Sequence, residues 1–459
     1  MSEPAPPAGS FPQDGYHRVP RPMRLAPAPR PLKILFLYSR PPLPMTRGDE
    51  LTVSHLLEFL HARGHVVDLV TLTEPGHRLR PEHAAWLQSR CRRVELILHS
   101  LKRSLPRAAA GWLGGRPFQI GLLLSPPQLA RVRELVAGER YDLAYAYYIR
   151  SAEALRAAHG ADPALVTFMA LQLSQTLNTE RLARTAATPW DRLFYRFETK
   201  RMAGYEARLW RDVTRTVLIG EKDKAAIAAA CRAEGLPEID NVVWGPHGVD
   251  VERFRPRPEA EEADTVIMSG VMRYAPNVEA ALWFAREVWP LVRVRRPQAR
   301  FFLVGRDPAP ALQALDGQNG IVVTGTVEEP ADWIARAAVC VTPIRAAAGL
   351  QNKLLEAMAM AKAVVATPEA NEGIGAPVDE ALLLAREPGA FAQAVLALLA
   401  DPARRDQLGK VARAFVEEKW TWEGPFLELE QAFLAAVEAG LGTRATAPSP
   451  VPQPASATA

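Results

Sequence analysis

The sequence predicts an α/β protein with two Rossmann-like domains that face a cleft. The prediction depends on the chain length, on two successive series of alternating strand and helix patterns, and on a proline-containing linker between the two series. The chain has 459 residues, of which 48% are hydrophobic and 23% charged, an ordinary globular composition. At roughly 150 residues per domain, about three domains would fit. Both ends look like disordered tails, so we expect two domains of about 200 residues.

The first series begins with the apolar run Lys33–Tyr38, which predicts a strand. A loop rich in proline and glycine precedes a helix pattern over 51–60, and the apolar run 66–72 is the next strand. This strand, helix and strand form a βαβ unit, which requires a parallel sheet. Further strands are predicted at 93–98, 141–147, 165–169, 214–219 and 241–244, and helices at 126–137, 150–158, 190–211 and 221–233.

The second series follows the linker 255–258. It starts with a strand at 265–269, a long helix at 277–296 and a strand at 300–304. Further strands are predicted at 320–323, 338–342 and 363–366, with helices at 330–337 and 351–361. In parallel sheets of this kind, ligands bind outside the carboxyl ends of the strands.

Composition sets the predicted domain limits. Residues 1–31 are rich in proline, and residues 443–459 are mostly Thr, Ala, Pro and Ser. Between these tails we expect an N-terminal domain at 32–247 and a C-terminal domain at 248–425, followed by a helix at 426–442.

Charge balance, apolar runs and cysteine spacing argue against several classes of protein. The 55 Lys and Arg nearly balance the 51 Asp and Glu, so we expect no nucleic-acid partner. No apolar run is long enough for a membrane span, and no apolar signal region precedes Lys33. The three cysteines are far apart, which argues against a disulfide framework or a zinc site, and Cys340 reads as a buried strand residue. The chain is therefore expected to be cytoplasmic.

The segment 345–360 carries the strongest functional signal. It follows a predicted strand and opens a helix, and its Gly349 would let the backbone approach a ligand whose oxygens bind free N–H groups. Lys353 and Glu356 lie three residues apart and share a helix face. The cation suits a diphosphate and the carboxylate suits sugar or ribose hydroxyls. An exposed ion pair on an ordinary helix is the alternative from the pattern alone.

Together with the strand at 363–367, this segment resembles the donor-binding signature of GT-B glycosyltransferases of family 4. That signature is Glu, seven residues, Glu, then Ala-Met-Ala and a short Pro-Val-Val-Ala strand. Glu356 matches the second glutamate, which usually holds the donor ribose. Further matches lie at 63–67, 245–254, 302–305, 323–327 and 420–422. The last match resembles the family element after which a helix, here 426–442, returns to the first domain. The resemblance covers nearly all of 32–440, and two segments resemble a bacterial subgroup linked to exopolysaccharide and exosortase loci.

The resemblance implies a retaining, hexosyltransferase-like enzyme that moves a sugar from a nucleoside-diphosphate sugar to a glycan or lipid-linked acceptor. The N-terminal domain would bind the acceptor and the C-terminal domain the donor, without an obligatory metal or a cofactor. The candidate donor-binding residues are Gly48, Arg273, Gly349, Leu350, Gln351, Asn352, Lys353 and Glu356. Catalytic residues are not assigned.

This sequence departs from the family pattern at three positions. Ala348 stands where the first glutamate is expected, and Val271 and Pro276 stand where Arg and Lys usually contact the donor phosphates. Arg273 and Lys353 are the cations available to replace them. Two alternatives stay open, namely a GT-B nucleotide-sugar epimerase and a non-catalytic nucleotide-sugar-binding partner in a polysaccharide assembly complex.

A basic stretch over 90–107, followed by Trp112, Leu113 and Phe118, suggests a second partner. Such a basic and apolar surface can lie on the anionic inner face of the cytoplasmic membrane, which would make the protein peripheral. A solvated charged face beside a core strand is the equally open alternative.

Overall fold

The computed structural model describes residues 19–440, except 46, 77–78, 187, 246 and 346–349. The described chain divides into two compact units. The C-terminal unit contains residues 19–21, 42–59 and 247–428, and the N-terminal unit contains residues 22–41, 60–245 and 429–440. The units follow packing alone, and the domain limits given above stay a prediction.

The N-terminal unit is built on a seven-stranded parallel sheet. Its strands are β1 (Lys33–Tyr38), β2 (Val66–Thr73), β3 (Arg93–Leu98), β4 (Leu143–Tyr147), β5 (Val166–Gln172), β6 (Arg215–Leu218) and β7 (Val242–Trp244). Their order is β3-β2-β1-β4-β5-β6-β7, so the chain reverses its direction of progress at β1. Residues 34–38 of β1 are fully buried, because helices cover both faces of such a sheet.

Nine α-helices accompany these strands in the described chain. They are α1 (Gly48–Ala62), α2 (Pro81–Arg90), α3 (Leu101–Leu113), α4 (Phe118–Leu123), α5 (Pro126–Gly138), α6 (Ala152–Ala161), α7 (Gln175–Thr185), α8 (Pro189–Leu209) and α9 (Glu221–Ala233). Most of α1 belongs to the C-terminal unit, which includes Pro42–Phe59. Hydroxyl side chains cap several of these helices; the Oγ of Ser100, for example, accepts a hydrogen bond from a backbone N–H of the first turn of α3.

The C-terminal unit contains a six-stranded sheet whose paired strands are parallel. Its strands are β8 (Thr265–Ser269), β9 (Arg300–Val304), β10 (Ile321–Gly325), β11 (Val339–Thr342), β12 (Ala363–Ala366) and β13 (Leu383–Leu384), in the order β10-β9-β8-β11-β12-β13. Its helices are α10 (Ala275–Trp283), α11 (Trp289–Arg295), α12 (Pro310–Gln313), α13 (Pro330–Arg336), α14 (Asn352–Ala359), α15 (Pro368–Asn371), α16 (Pro388–Ala400), α17 (Pro402–Lys419) and α18 (Glu423–Glu438). Cys340 is buried in β11, as predicted.

The predicted α/β class is confirmed, and the predicted long helix at 277–296 is an uninterrupted helical segment over 275–295 that changes its hydrogen-bond pattern in the middle. The structure has α10, then a π-helical turn at Phe284–Val288, then α11. Pro290 has no N–H to donate to the preceding turn, so the regular hydrogen-bond ladder cannot run through this point.

A buried ion cluster holds the second half of α18 within the N-terminal unit. The Glu430 carboxylate accepts hydrogen bonds from Arg63 (Nη2 to Oε2, 2.6 Å) and from His65 (Nε2 to Oε1, 2.7 Å). Burial raises the pKa of Glu430, but the hydrogen bonds from Arg63 and His65 outweigh it and lower the pKa below its ordinary value. The cluster therefore stabilises the ionised carboxylate.

Candidate functional site

The helix α14 presents a polar face in the C-terminal unit. It begins ten residues after the last residue of β11, so it starts beyond the carboxyl end of that strand. Its buried Leu354, Leu355 and Met358 lie on one side and hold the helix in the core. The helical period then places Asn352 and Glu356, four residues apart, on the other side.

A pocket lies within this unit, next to the polar face of α14. Its lining residues are Val19, Pro20, Arg21, Met45, Leu51, His55, Gly248, Val249, Asp250, Arg253, Phe254, Asn352, Glu356 and Trp422. Two of the predicted donor-binding residues, Asn352 and Glu356, are among them. The structure thus joins the start of α14 to the segment 248–254 and to α1.

Glu356 offers an uncommitted acceptor to the pocket. Within the described chain its carboxylate has no hydrogen bond or ion pair. Burial raises the pKa of Glu356, while the charges of Arg253 and Lys353 lower it in part. Arg253 is itself held by Glu329, with Nη2 and Oε1 3.1 Å apart. A half-buried carboxylate without a partner is suited to accept hydrogen bonds from ligand hydroxyls.

The side chain of Asn352 is held by His247, a residue that was not predicted to belong to the site. The His247 Nε2 donates to the Asn352 Oδ1 at 2.7 Å. Burial lowers the pKa of His247 to about 4, so the ring is neutral at pH 7. With Oδ1 occupied, the Asn352 amide presents its N–H₂ group as a donor. That Nδ2 lies 3.9 Å from where a Cβ on Gly48 would be, so the structure brings Gly48 and Asn352 together.

His55 and Trp422 form an aromatic wall of the pocket. Their rings stack with centroids 4.7 Å apart. The His55 Nδ1–H donates to the carbonyl of Leu51 at 2.9 Å, and burial lowers the pKa of His55. The Trp422 Nε1 is buried with no hydrogen-bond partner among the described residues. His55 sits inside an ordinary helical pattern, so the sequence offered no signal for it.

Lys353 belongs to a second polar cluster, at the carboxyl end of β8. Its Nζ donates to Asn277 Oδ1 at 2.7 Å and to Gln351 Oε1 at 3.3 Å. Burial lowers the pKa of Lys353 to about 8. Gly270 has φ of +145°, and a Cβ there would lie 3.1 Å from the Lys353 Cε, so a side chain would crowd the lysine.

The other predicted residues lie elsewhere. Arg273 is exposed and pairs with Asp307 at 3.6 Å, and it does not line the pocket. Leu350 packs against the core of the C-terminal unit. Gly349 and Ala348 lie outside the described residues. Among the residues that the structure does describe, no group of three or more His, Cys, Asp or Glu is arranged to hold a metal ion.

Known proteins are similar to the C-terminal part of this chain and, more weakly, to most of its length. Residues 263–401 match the family model described as "Glycosyl transferases group 1". An uncharacterized 44.6 kDa protein in the cps region of Klebsiella pneumoniae is 20% identical over 405 residues, which cover 84% of this chain and 96% of that protein.

Solved structures are similar over most of the chain. The sucrose-phosphate synthase of Thermosynechococcus elongatus has a TM-score of 0.62 at 18% identity, over 89% of this chain and all of that one. Anabaena HepE in complex with UDP has a TM-score of 0.58 at 14% identity, over 88% of this chain and all of that one. A glycosyltransferase of Rickettsia africae has a TM-score of 0.61 at 12% identity, over 89% of this chain and 99% of that one.

Proposed function

We propose that this chain, which has the predicted GT-B fold, is a retaining glycosyltransferase of family 4. The match of residues 263–401 to the group 1 glycosyl transferase model supports this proposal. Its donor would be a nucleoside-diphosphate sugar, and its acceptor a glycan or lipid-linked glycan of the cell surface. The similar protein from a cps region supports a role in polysaccharide synthesis.

One observation supports the proposal most directly. The half-buried carboxylate of Glu356, which lies in the matched segment 263–401 and has no partner among the described residues, lines the pocket. Glu356 also stands at the position where members of the resembled family bind the ribose of the donor. Asn352, one turn earlier, adds an amide donor because His247 occupies its carbonyl oxygen. A donor and an acceptor that lie four residues apart on one helix face can bind two neighbouring hydroxyl groups.

We propose that Lys353 meets the diphosphate. Its buried ammonium is held by two neutral oxygens and by no acid among the described residues, so it can exchange those partners for phosphate oxygens. Gln351 then acts through Lys353, and Gly48 would allow close backbone approach. Gly349, outside the described residues, stays a sequence-based prediction. Arg273 stays a predicted phosphate ligand that its partner Asp307 would have to release.

In the proposed reaction, the acceptor hydroxyl attacks the anomeric carbon from the face that the diphosphate leaves. The departing phosphate oxygen takes the hydroxyl proton, so no enzyme nucleophile is required. Domain 248–425 would bind the donor and domain 32–247 the acceptor.

No helix among the described residues is long and apolar enough to cross a membrane. We propose peripheral attachment to the inner face of the cytoplasmic membrane.

A transfer assay tests the function. UDP- and GDP-sugars with a radioactive sugar are incubated with the protein and with membranes from the cell of origin, and label is counted in lipid-soluble and polymeric fractions. We expect label in one of these fractions, and much less with Glu356→Gln. Free sugar or an epimer formed without membranes would favour the epimerase, and binding without any turnover would favour the assembly partner.

A further inference from the structure

The helix α8 exposes an apolar stripe on the N-terminal unit. Trp190, Leu193 and Phe197 are 81%, 45% and 47% exposed and lie at positions i, i+3 and i+7, so they share one helix face. Glu198 and Met202 are buried, and the core-facing side of α8 is therefore a different face. Exposed apolar groups scattered singly are normal, but a contiguous row that includes a tryptophan marks a contact surface.

The stripe is backed by a packed aromatic layer rather than by a mobile loop. Trp112 of α3 stacks on Phe194 with ring centroids 5.6 Å apart, and Arg201 lies 4.2 Å over the Trp112 ring. The buried Glu198 accepts a hydrogen bond from the Trp112 Nε1 at 3.1 Å. The end of α3 and the face of α8 are thus fixed to each other, and Leu113, next to Trp112, is 78% exposed.

Cations run beside this stripe. Arg192, Arg196 and Lys200 repeat at intervals of four residues and form a row on α8, and all three are exposed. On α3, Lys102 and Arg103 are also exposed. Within the described chain none of these five cations is paired with an acid.

Two other arginines of the basic stretch do not belong to this surface. Arg92 donates through Nε to the Asp68 carboxylate at 2.8 Å, and Arg93 pairs with Glu139 at 2.9 Å. Both arginines are committed to a cluster beside β3. The sequence expectation of one basic surface over 90–107 is therefore wrong for Arg92 and Arg93, because carboxylates of neighbouring elements neutralise them.

We propose that the apolar stripe of α8, with Leu113 and the adjacent cations, is a docking surface for an anionic lipid bilayer. The surface has the composition of an interfacial amphipathic helix, with Trp, Phe and Leu on one face and Arg and Lys along the flank. An anionic leaflet attracts the cations while the apolar side chains enter the headgroup region. The inference rests on the proposed peripheral attachment and is independent of the transfer reaction.

The charge pattern favours lipid over a second copy of the chain. Residues 101–116 contain four basic residues and no acid. On the first turns of α8, Asp191 is held by Thr188 (Oγ1 to Oδ2, 2.8 Å), and Glu198 is buried. Two copies that met through this surface would bring rows of like charge together, which is unfavourable. An anionic bilayer supplies the opposite charge.

Vesicle flotation of the full chain tests the docking surface. We compare vesicles of phosphatidylcholine alone with vesicles in which phosphatidylglycerol is about a third of the lipid. We expect binding to the anionic vesicles only, and weaker binding as salt is added, since the attraction is screened beyond about 10 Å at 0.1 M. The double variant Trp190→Gln, Leu193→Gln should bind at least about tenfold more weakly.

The matched control is the double variant Leu291→Gln, Val294→Gln, which removes exposed apolar side chains from α11 of the C-terminal unit. It should bind vesicles like the unaltered protein, and all variants should keep the melting temperature. Three results overturn the proposal: no binding of the unaltered protein to anionic vesicles, equal binding of the α8 variant, or self-association of the free protein that the α8 variant abolishes. Each of these results leaves the transfer assay unaffected.

Discussion

Replacing Glu356 by glutamine is the sharpest perturbation of the pocket. The change keeps the size of the side chain but removes its charge, and turns two acceptor oxygens into one acceptor and one donor group. Because the carboxylate has no partner within the described chain, the substitution should change the binding of the ligand and break no contact within the protein. A hydrogen bond to a charged group contributes about 1.5–3 kcal/mol. At about 1.4 kcal/mol per tenfold change, affinity for the donor nucleotide should fall about 10- to 100-fold.

The same substitution should not destabilise the protein. The raised pKa of Glu356 means that the folded state binds its proton more tightly than the unfolded state does. Its contribution to stability is therefore present at low pH and is lost as pH rises. At pH 7 the glutamine variant should melt at the same temperature or higher, and the difference should shrink as pH falls toward the ordinary glutamate range near about 4.3.

Isothermal titration with UDP and GDP, together with melting curves, measures both effects. Glu369→Gln is the matched control, since Glu369 pairs with Arg386 at 2.6 Å and does not line the pocket. It should leave nucleotide affinity unchanged. If Glu356→Gln lowers the melting temperature by several degrees, or leaves nucleotide affinity unchanged, Glu356 is a structural residue and the reasoning fails.

Three further perturbations test other parts of the structure. Glu430→Ala should lower the free energy of unfolding by about 3–5 kcal/mol in urea titrations, because it leaves the largely buried Arg63 guanidinium without its acid. The exposed Glu438→Ala is its control. Since the pKa of Glu430 is lowered, that difference should be largest above pH 5 and should shrink in acid; a constant difference would contradict the ion pair. His247→Ala and Asn352→Ala should each weaken UDP binding about 2- to 10-fold, with no further loss in the double variant; additive losses would mean that His247 does not act through Asn352. Affinity for UDP should fall by about tenfold per pH unit above pH 8, because Lys353 loses its charge there. Lys353→Met should abolish this pH dependence. If the variant keeps the same pH dependence, Lys353 does not bind the diphosphate.

Much of the sheet framework could be predicted from the sequence. Strands such as β1, β8 and β9 have the predicted bounds, because buried parallel strands are continuous apolar runs that end at polar or glycine residues. Helices were harder. The helix α3 was not predicted because Pro106 lies inside it, although its apolar residues follow the helical period. The π-helical turn after α10 depends on a single proline.

Only those pocket residues that come from the single segment at the start of α14 could be predicted. Asn352 and Glu356 come from one short helix with a family signature, so their proximity follows from sequence spacing. His55 and Trp422 reach the pocket from distant parts of the chain, and only tertiary packing brings their rings together. The pairing of Asn352 with His247 likewise depends on packing, since a histidine in a linker has many uses.

A thermal-shift titration against nucleotides tests the central claim that this protein binds a nucleoside-diphosphate sugar. A ligand that binds the folded state at 100 times its dissociation constant stabilises it by about 2.7 kcal/mol, which raises the melting temperature by several degrees. The account predicts that UDP or GDP and one of its sugars raise the melting temperature, that Glu356→Gln needs about 10- to 100-fold more nucleotide for the same shift, and that NAD, ATP and nucleic acid have no effect. A shift with NAD alone, and none with any nucleoside diphosphate, would contradict it.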